Sequence, residues 1–122
     1  MNKKKILIAD DEENLRILVR TTLDDPACVI LEAGDGNETI RIARAEHPDL
    51  ILLDWMMPGI SGIDVLKILH QDRQTADIPV IMLTAKAQQK DRELGLSVGA
   101  RAYLVKPFSP LELMAKVQEV LG

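Results

Sequence analysis

The sequence predicts an α/β fold, a three-layer α/β/α sandwich built on a five-stranded parallel sheet. Three observations carry that expectation. Five short apolar runs recur along the chain: "ILIA" (6–9), "CVILEA" (28–33), "LILLD" (50–54), "VIMLT" (80–84) and "AYLV" (102–105). Four of them are nearly continuous in apolar residues, as befits strands covered by helices on both faces. Amphipathic stretches of helical spacing separate each run from the next, and parallel strands need such crossovers.

Each element has its own signal. The first strand stops at Asp10-Asp11, after which Leu15, Leu18, Val19 and Leu23 recur at helical spacing and Pro26 is expected to close the helix. Glu32 breaks the second run, which suits an edge strand. Ile40 and Ala43 mark the second helix, ended by Pro48; Ile63, Leu66 and Leu69 mark the third, opened near Gly62. A fourth helix spans about 87 to 98, with Gly99 as its C-terminal cap. The fifth has a full start signal in Ser109, Pro110 and Glu112, and an apolar stripe of Leu113, Val117, Val120 and Leu121. Five strands in 122 residues favour the flavodoxin-like order 2-1-3-4-5 over a six-stranded dinucleotide-binding sheet, although spacing alone leaves the order open. No linker or repeat divides the chain, so residues 1–122 are expected to form one domain.

Composition narrows the function. The chain is 47% apolar and 28% charged, which suits a globular domain and not a disordered one. A net charge of −4 argues against a broad surface for nucleic-acid phosphates. The single Cys28 permits no internal disulfide and, at the start of a strand, is expected to be a buried, inert thiol. The opening "MNKKKILIADDEE" has too short an apolar run for a signal peptide or a membrane span. The expected location is the cytoplasm.

The chemistry lies where the strands end. In open parallel sheets, ligands sit beyond the carboxyl ends of the strands. Strand 1 ends in Asp10-Asp11, strand 3 in Asp54, strand 4 in Thr84 and strand 5 in Lys106. Two like charges about 4 Å apart repel by roughly 4 kcal/mol at an effective dielectric of about 20, so three carboxylates need cations. Lys106 supplies one positive charge. A hard divalent ion held by oxygens, of which Mg²⁺ is the natural example, would supply the rest. A carboxylate beside such an ion and a lysine is equipped to attack phosphorus. A plain Asp–Lys salt bridge would account for Lys106 but not for the Asp10-Asp11 pair.

"ILIADDEENLR", "DLILLDWMMPGISGIDVLKILH", "IPVIMLTAKA" and "GARAYLVKPFSPLEL" resemble the blocks of a CheY-like receiver domain, the input module of two-component response regulators. The resemblance covers essentially the whole chain. It implies that Asp54 is the phosphoacceptor, taking a phosphoryl group from the phosphohistidine of a sensor histidine kinase or phosphotransfer protein. It implies that Asp11, Asp54 and the Met56 backbone carbonyl bind Mg²⁺, with Asp10 acting mainly through water. Lys106 and the Thr84 hydroxyl would hold phosphoryl oxygens together with the Ala85 amide, and Lys106-Pro107 would be a cis peptide. Tyr103 would be a switch that swings inward as Thr84 moves, reshaping the face of helix 4, strand 5 and helix 5 for a downstream protein; a half-buried strand tyrosine without that role is the alternative. Such a domain catalyses only its own phosphorylation and dephosphorylation. No effector domain, nucleic-acid contact or membrane contact is expected.

Two places are individual to this chain. Met56 and Lys86, each two residues after a site residue, offer no carboxylate or amide to orient a hydrolytic water, so slow self-dephosphorylation is expected. Arg101 and Ala102 stand where winged-helix-linked receivers commonly carry acidic residues, and helix 5 carries Lys116. A monomer or a weak phosphorylation-dependent dimer is therefore expected. Trp55 is expected to be a surface aromatic beside the site, and His47 and His70 to be solvated. The mixed run "KDRE" (90–93) reads as a solvated helix face or a partner contact. The rivals are an aspartate-nucleophile phosphatase, a receiver-fold interaction module that is never phosphorylated, and a nucleotide-binding domain. The phosphatase pattern is D-x-D-x-T/V at strand 1, where this chain has Glu12 two after Asp10 and Asn14 four after it, and no glycine-rich phosphate loop follows that strand.

Overall fold

Alternation of apolar residues within each strand decides how the layers form. The structure, a computed structural model, describes residues 3–85 and 89–122, the side chains of 89–92 excepted. It contains β1 (Lys4–Ala9), α1 (Glu13–Thr22), β2 (Cys28–Ala33), α2 (Gly36–Glu46), β3 (Leu50–Asp54), α3 (Gly62–Gln71), β4 (Val80–Thr84), α4 (Gln89–Val98), β5 (Ala102–Val105) and α5 (Pro110–Leu121). All five strands are parallel, in the order β2-β1-β3-β4-β5. The expected order is the observed one. Ile6, Ile8, Leu50, Leu52, Ile81 and Leu83 point to one face, where they meet Val19 of α1 and Leu113 and Val117 of α5. Their neighbours Leu7, Ala9, Ile51, Leu53 and Met82 point to the other, against Ile40 and Ala43 of α2 and Val65, Leu66 and Leu69 of α3. Burying each such side chain contributes about 1.5–3 kcal/mol, which makes the two-faced sheet the centre of stability.

The helix ends follow local chemistry. The α5 capping box is fully formed: Ser109 Oγ accepts from the Glu112 amide at 3.1 Å and Glu112 Oε1 accepts from the Ser109 amide at 3.3 Å. Helix α1 ends at Thr22, ahead of Pro26: the Leu23 amide makes the last helical bond, to the Val19 carbonyl, and Leu23 itself leaves the helical region at φ −97°, ψ 14°. Pro48 bars His47 from a helical conformation, and His47 caps α2 in the left-handed region at φ 44°. Strand β1 begins two residues before its apolar run, since the Lys4 amide bonds to the Ala27 carbonyl and the Lys5 amide to Asp49 Oδ2. Among the described residues no helix is long and apolar enough to cross a membrane.

At Gly62 a helix start must touch a strand end. Its amide donates to the Trp55 carbonyl at 2.8 Å, and a Cβ there would overlap the carbonyl oxygen of Asp54 and lie 2.9 Å from Trp55 Cα. Both neighbours are backbone and cannot step aside. Gly62→Ala is expected to cost about 2 kcal/mol or more in chemical denaturation. An unchanged midpoint would mean that α3 is free to slide off the strand end.

Candidate functional site

Period-two alternation aims the charged residues at each other. Asp10 continues the Ile6, Ile8 row, Asp54 the Leu50, Leu52 row and Lys106 the Ala102, Leu104 row, so all three face the α1 and α5 side at the carboxyl edge. Asp10 is fully buried and Asp54 is 4% exposed. Lys106 Nζ donates to Asp10 Oδ2 at 2.8 Å and to Asp54 Oδ1 at 3.2 Å. Asp11 is exposed at the rim, and the carboxylates of Asp10, Asp11 and Asp54 each place an oxygen within 4.8 Å of the others. The structure thus brings together all four charged residues expected from the sequence. Such a set of hard oxygens suits a hard divalent cation.

The loops hold these groups in place. Asp10 Oδ1 accepts from the Glu12 amide at 2.8 Å, closing a turn at the start of α1, while Arg16 Nη1 donates to the Asp10 carbonyl at 2.6 Å. Asp54 Oδ1 also receives a long bond from the Met56 amide at 3.4 Å. Met57 is buried, whereas the Met56 side chain is 68% exposed beside the site. The Lys106–Pro107 peptide is cis. Ala85 is exposed just past β4, and Lys86 lies outside the described residues.

Thr84 is 1% exposed, and alternation places it on the opposite face from the charged cluster, with Val80 and Met82. Tyr103 pairs with Met82, and Val105 with Thr84, so Tyr103 and Thr84 are diagonal neighbours on that face. Tyr103 is half-buried, and its ring lies against Gly95 of α4.

Two expectations are corrected. Trp55 is 7% exposed and belongs to the core of the α2–α4 layer, not to the surface. The Trp55 amide extends the ladder to the Leu83 carbonyl, which keeps the indole in the strand's alternation, and Gly95 leaves room for it; a Cβ at Gly95 would lie 3.5 Å from Trp55 Cζ3. Cys28 is half-buried at the edge strand and not buried as expected, although burial followed by the charge of Asp25 still raises its pKa, in keeping with an inert thiol. Both histidines are exposed; His47 Nε2 lies 3.1 Å from Asp77 Oδ1. Within "KDRE", Glu93 is exposed and the other side chains lie outside the described residues. Sequence reasoning missed Arg16 and Gly62, whose roles depend on contacts across the fold; Glu32 in mid-strand was the available hint for Arg16.

Burial dominates the site's electrostatics. It pushes the Asp54 carboxyl up to about 6, the nearby Asp10 charge adds to this, and Lys106 pulls only part of the way back. Desolvation works against the Lys106 ammonium, but the two carboxylates outweigh it and hold its pKa above the usual value.

The profile of the response regulator receiver domain matches residues 6–118. The chain is 46% identical over 118 residues to the phosphate regulon transcriptional regulatory protein PhoB of Pseudomonas aeruginosa, covering 97% of this chain and 52% of that protein. It is 45% identical to the alkaline phosphatase synthesis transcriptional regulatory protein PhoP of Bacillus subtilis, covering 97% and 48%. The chain therefore spans about half the length of these curated relatives. Among solved structures, the chemotaxis response regulator CheY4 of Vibrio cholerae superposes with a TM-score of 0.92 at 33% identity, over 98% of this chain and 100% of that one. The receiver domain of the Francisella response regulator 1452 gives 0.89 at 34% identity, over 98% and 97%.

A carboxyl with a raised folded-state pKa costs the fold stability in full above that pKa, and less as pH falls toward the ordinary carboxylate range. Asp54→Asn in chelator-containing buffer should therefore stabilise the protein by about 1–2 kcal/mol near pH 8, once solvent screening is allowed for. That gain in chemical denaturation should shrink as pH falls through about 6 toward about 4, where the folded-state group is protonated and the unfolded one is beginning to be. A loss of stability at the higher pH would mean that the bond to Lys106 outweighs the burial cost.

Proposed function

The chain belongs to the response regulator receiver domain family, and from that premise we propose that Asp54 is its phosphoacceptor and that phosphorylation switches the face formed by α4, β5 and α5. The observation that carries this reading is the single ammonium of Lys106 bridging two buried carboxylates, with Asp11 completing an oxygen cluster at the rim. Asp11, Asp54 and the Met56 carbonyl would hold Mg²⁺, Asp10 acting mainly through water. The ion supplies charge neutralisation to the phosphoryl oxygens.

The chain's own groups do the rest. Lys106 and the Met56 amide engage Asp54 Oδ1, which leaves Oδ2 as the attacking oxygen. It forms a bond to phosphorus as the phosphorus–nitrogen bond of the donor phosphohistidine breaks, and the departing imidazole keeps that electron pair. The product is an acyl phosphate on Asp54. Lys106, the Thr84 hydroxyl and the Ala85 amide would then hold its oxygens. Movement of Thr84 toward them opens space on the face it shares with Tyr103, and their diagonal placement supports a direct coupling of the two.

The donor would be a sensor histidine kinase or phosphotransfer protein in the cytoplasm. A groove beside Lys106, lined by Leu15, Leu18, Pro107 and Phe108, offers it an apolar seat next to the nucleophile. Arg101 is exposed, and Lys116 is paired with Glu119 at 3.2 Å on its own helix. That arrangement supports a monomer or a weak phosphorylation-dependent dimer.

Incubation with Mg²⁺ and acetyl phosphate should add one phosphoryl group by mass, acid-stable and base-labile, and Asp54→Asn should abolish it. No adduct from any donor would favour a receiver-fold module that works unphosphorylated. Turnover of a generic phosphate ester would point to a phosphatase instead.

The lifetime of the adduct is a separate expectation. The exposed thioether of Met56 cannot orient a hydrolytic water, and neither can the ammonium of Lys86 act as its base. Met56→Asn with Lys86→Glu should shorten the phosphoryl half-life by about tenfold or more, a part of the roughly 10²–10⁴-fold that a well-positioned acid–base group contributes. Rapid decay of the wild-type adduct, unchanged by the pair, would remove these side chains from the account.

A further inference from the structure

We propose that Arg16 is a positioning residue for the acidic loop, fixing the Asp10–Asp11 peptide so that both carboxylates face the crevice; this rests on the Mg²⁺ reading of that crevice. The Arg16 side chain is 20% exposed and reaches from α1 across the end of the sheet. Its Nη1 donates to the Asp10 carbonyl at 2.6 Å and its Nε to Glu32 Oε1 at 3.2 Å. Glu32 in turn takes Arg20 Nη1 on Oε2 at 2.6 Å, so the fork is anchored to β2 through a carboxylate held from both sides.

The other polar atoms of Asp10 are already committed. Its amide donates to the Ala33 carbonyl at 3.0 Å, Oδ1 accepts from the Glu12 amide and Oδ2 from Lys106. The carbonyl oxygen remains, and Arg16 takes it. That oxygen lies in the plane of the Asp10–Asp11 peptide, so the bond sets the direction in which the following residue leaves. Asp11 is the exposed member of the cluster, with the most freedom to turn away from it. Arg16 thus acts through backbone, on a ligand it does not touch. The role also explains Glu32, the carboxylate that interrupts an otherwise apolar strand. A lysine could not replace the fork, because one ammonium lacks the fixed planar geometry that spans both acceptors.

The test is Mg²⁺ titration by calorimetry on wild type, Arg16→Met and Arg16→Lys, beside phosphoryl uptake from acetyl phosphate as a function of Mg²⁺. Both variants should bind Mg²⁺ about tenfold more weakly, the lower end of what outer-shell changes cost. Uptake at saturating Mg²⁺ should return to the wild-type plateau, which a general loss of structure would not allow. Wild-type affinity in Arg16→Met would overturn the proposal, and so would full rescue by Arg16→Lys, which would make the effect one of charge alone. Should Arg16→Met fail to fold, Glu32→Gln weakens the anchor while leaving the loop intact. A several-fold weaker affinity in Glu32→Gln supports the role and an unchanged one defeats it. Absence of Mg²⁺ binding in wild type itself would overturn the metal reading and this inference with it.

Discussion

Two buried carboxylates share one ammonium, and the rest of the molecule is arranged so that they can. Asp10 and Asp54 terminate neighbouring strands, and neither could stay charged there alone. Their partner comes from β5, at the sheet's edge and on the far side of β4. The long stem of Lys106 spans that distance, and alternation keeps the way clear by sending Thr84, at the end of the intervening strand, to the opposite face. The strand order, the alternation and the length of one side chain therefore answer a single electrostatic need. The need is only partly met. Asp54 retains a raised pKa, which is the state of a group that would gain from a further cation.

A second constraint is steric. Gly62 presses α3 onto the Asp54–Trp55 peptide, and Gly95 of α4 makes room for the Trp55 indole and the edge of the Tyr103 ring. The residue after Asp54 is thereby packed into the same layer as Tyr103. Close packing thereby ties the position of the strand end to that of the Tyr103 ring.

The fold was legible because its strands are buried on both faces. Continuous apolar runs announced themselves, and four of the five matched the observed strands residue for residue, Lys4 and Lys5 extending only the first. The charged cluster was legible for the same reason: a carboxylate or ammonium directly after a core strand is costly enough to need a purpose. What stayed hidden was whatever depends on contacts distant in sequence. Nothing local distinguishes Trp55 on a surface from Trp55 in a core, since its cover comes from Gly95 on a later helix. Arg16 looks like any polar residue on an amphipathic helix until β2 brings Glu32 beneath it. Pro26 and Pro48 marked the ends of helices, but the non-helical backbone of Leu23 and the left-handed His47 are the actual stops.

The sheet also works as a partition. Groups that carry the charge lie on the α1 and α5 side, while Thr84, Tyr103 and Trp55 lie on the α2–α4 side. Under the proposed reading Thr84 would act across this partition, since its side chain starts on the face away from Asp54. The proposed output face straddles this partition, with α4 on one side and α5 on the other, so β5 at the sheet edge is where a change on either side would reach a partner.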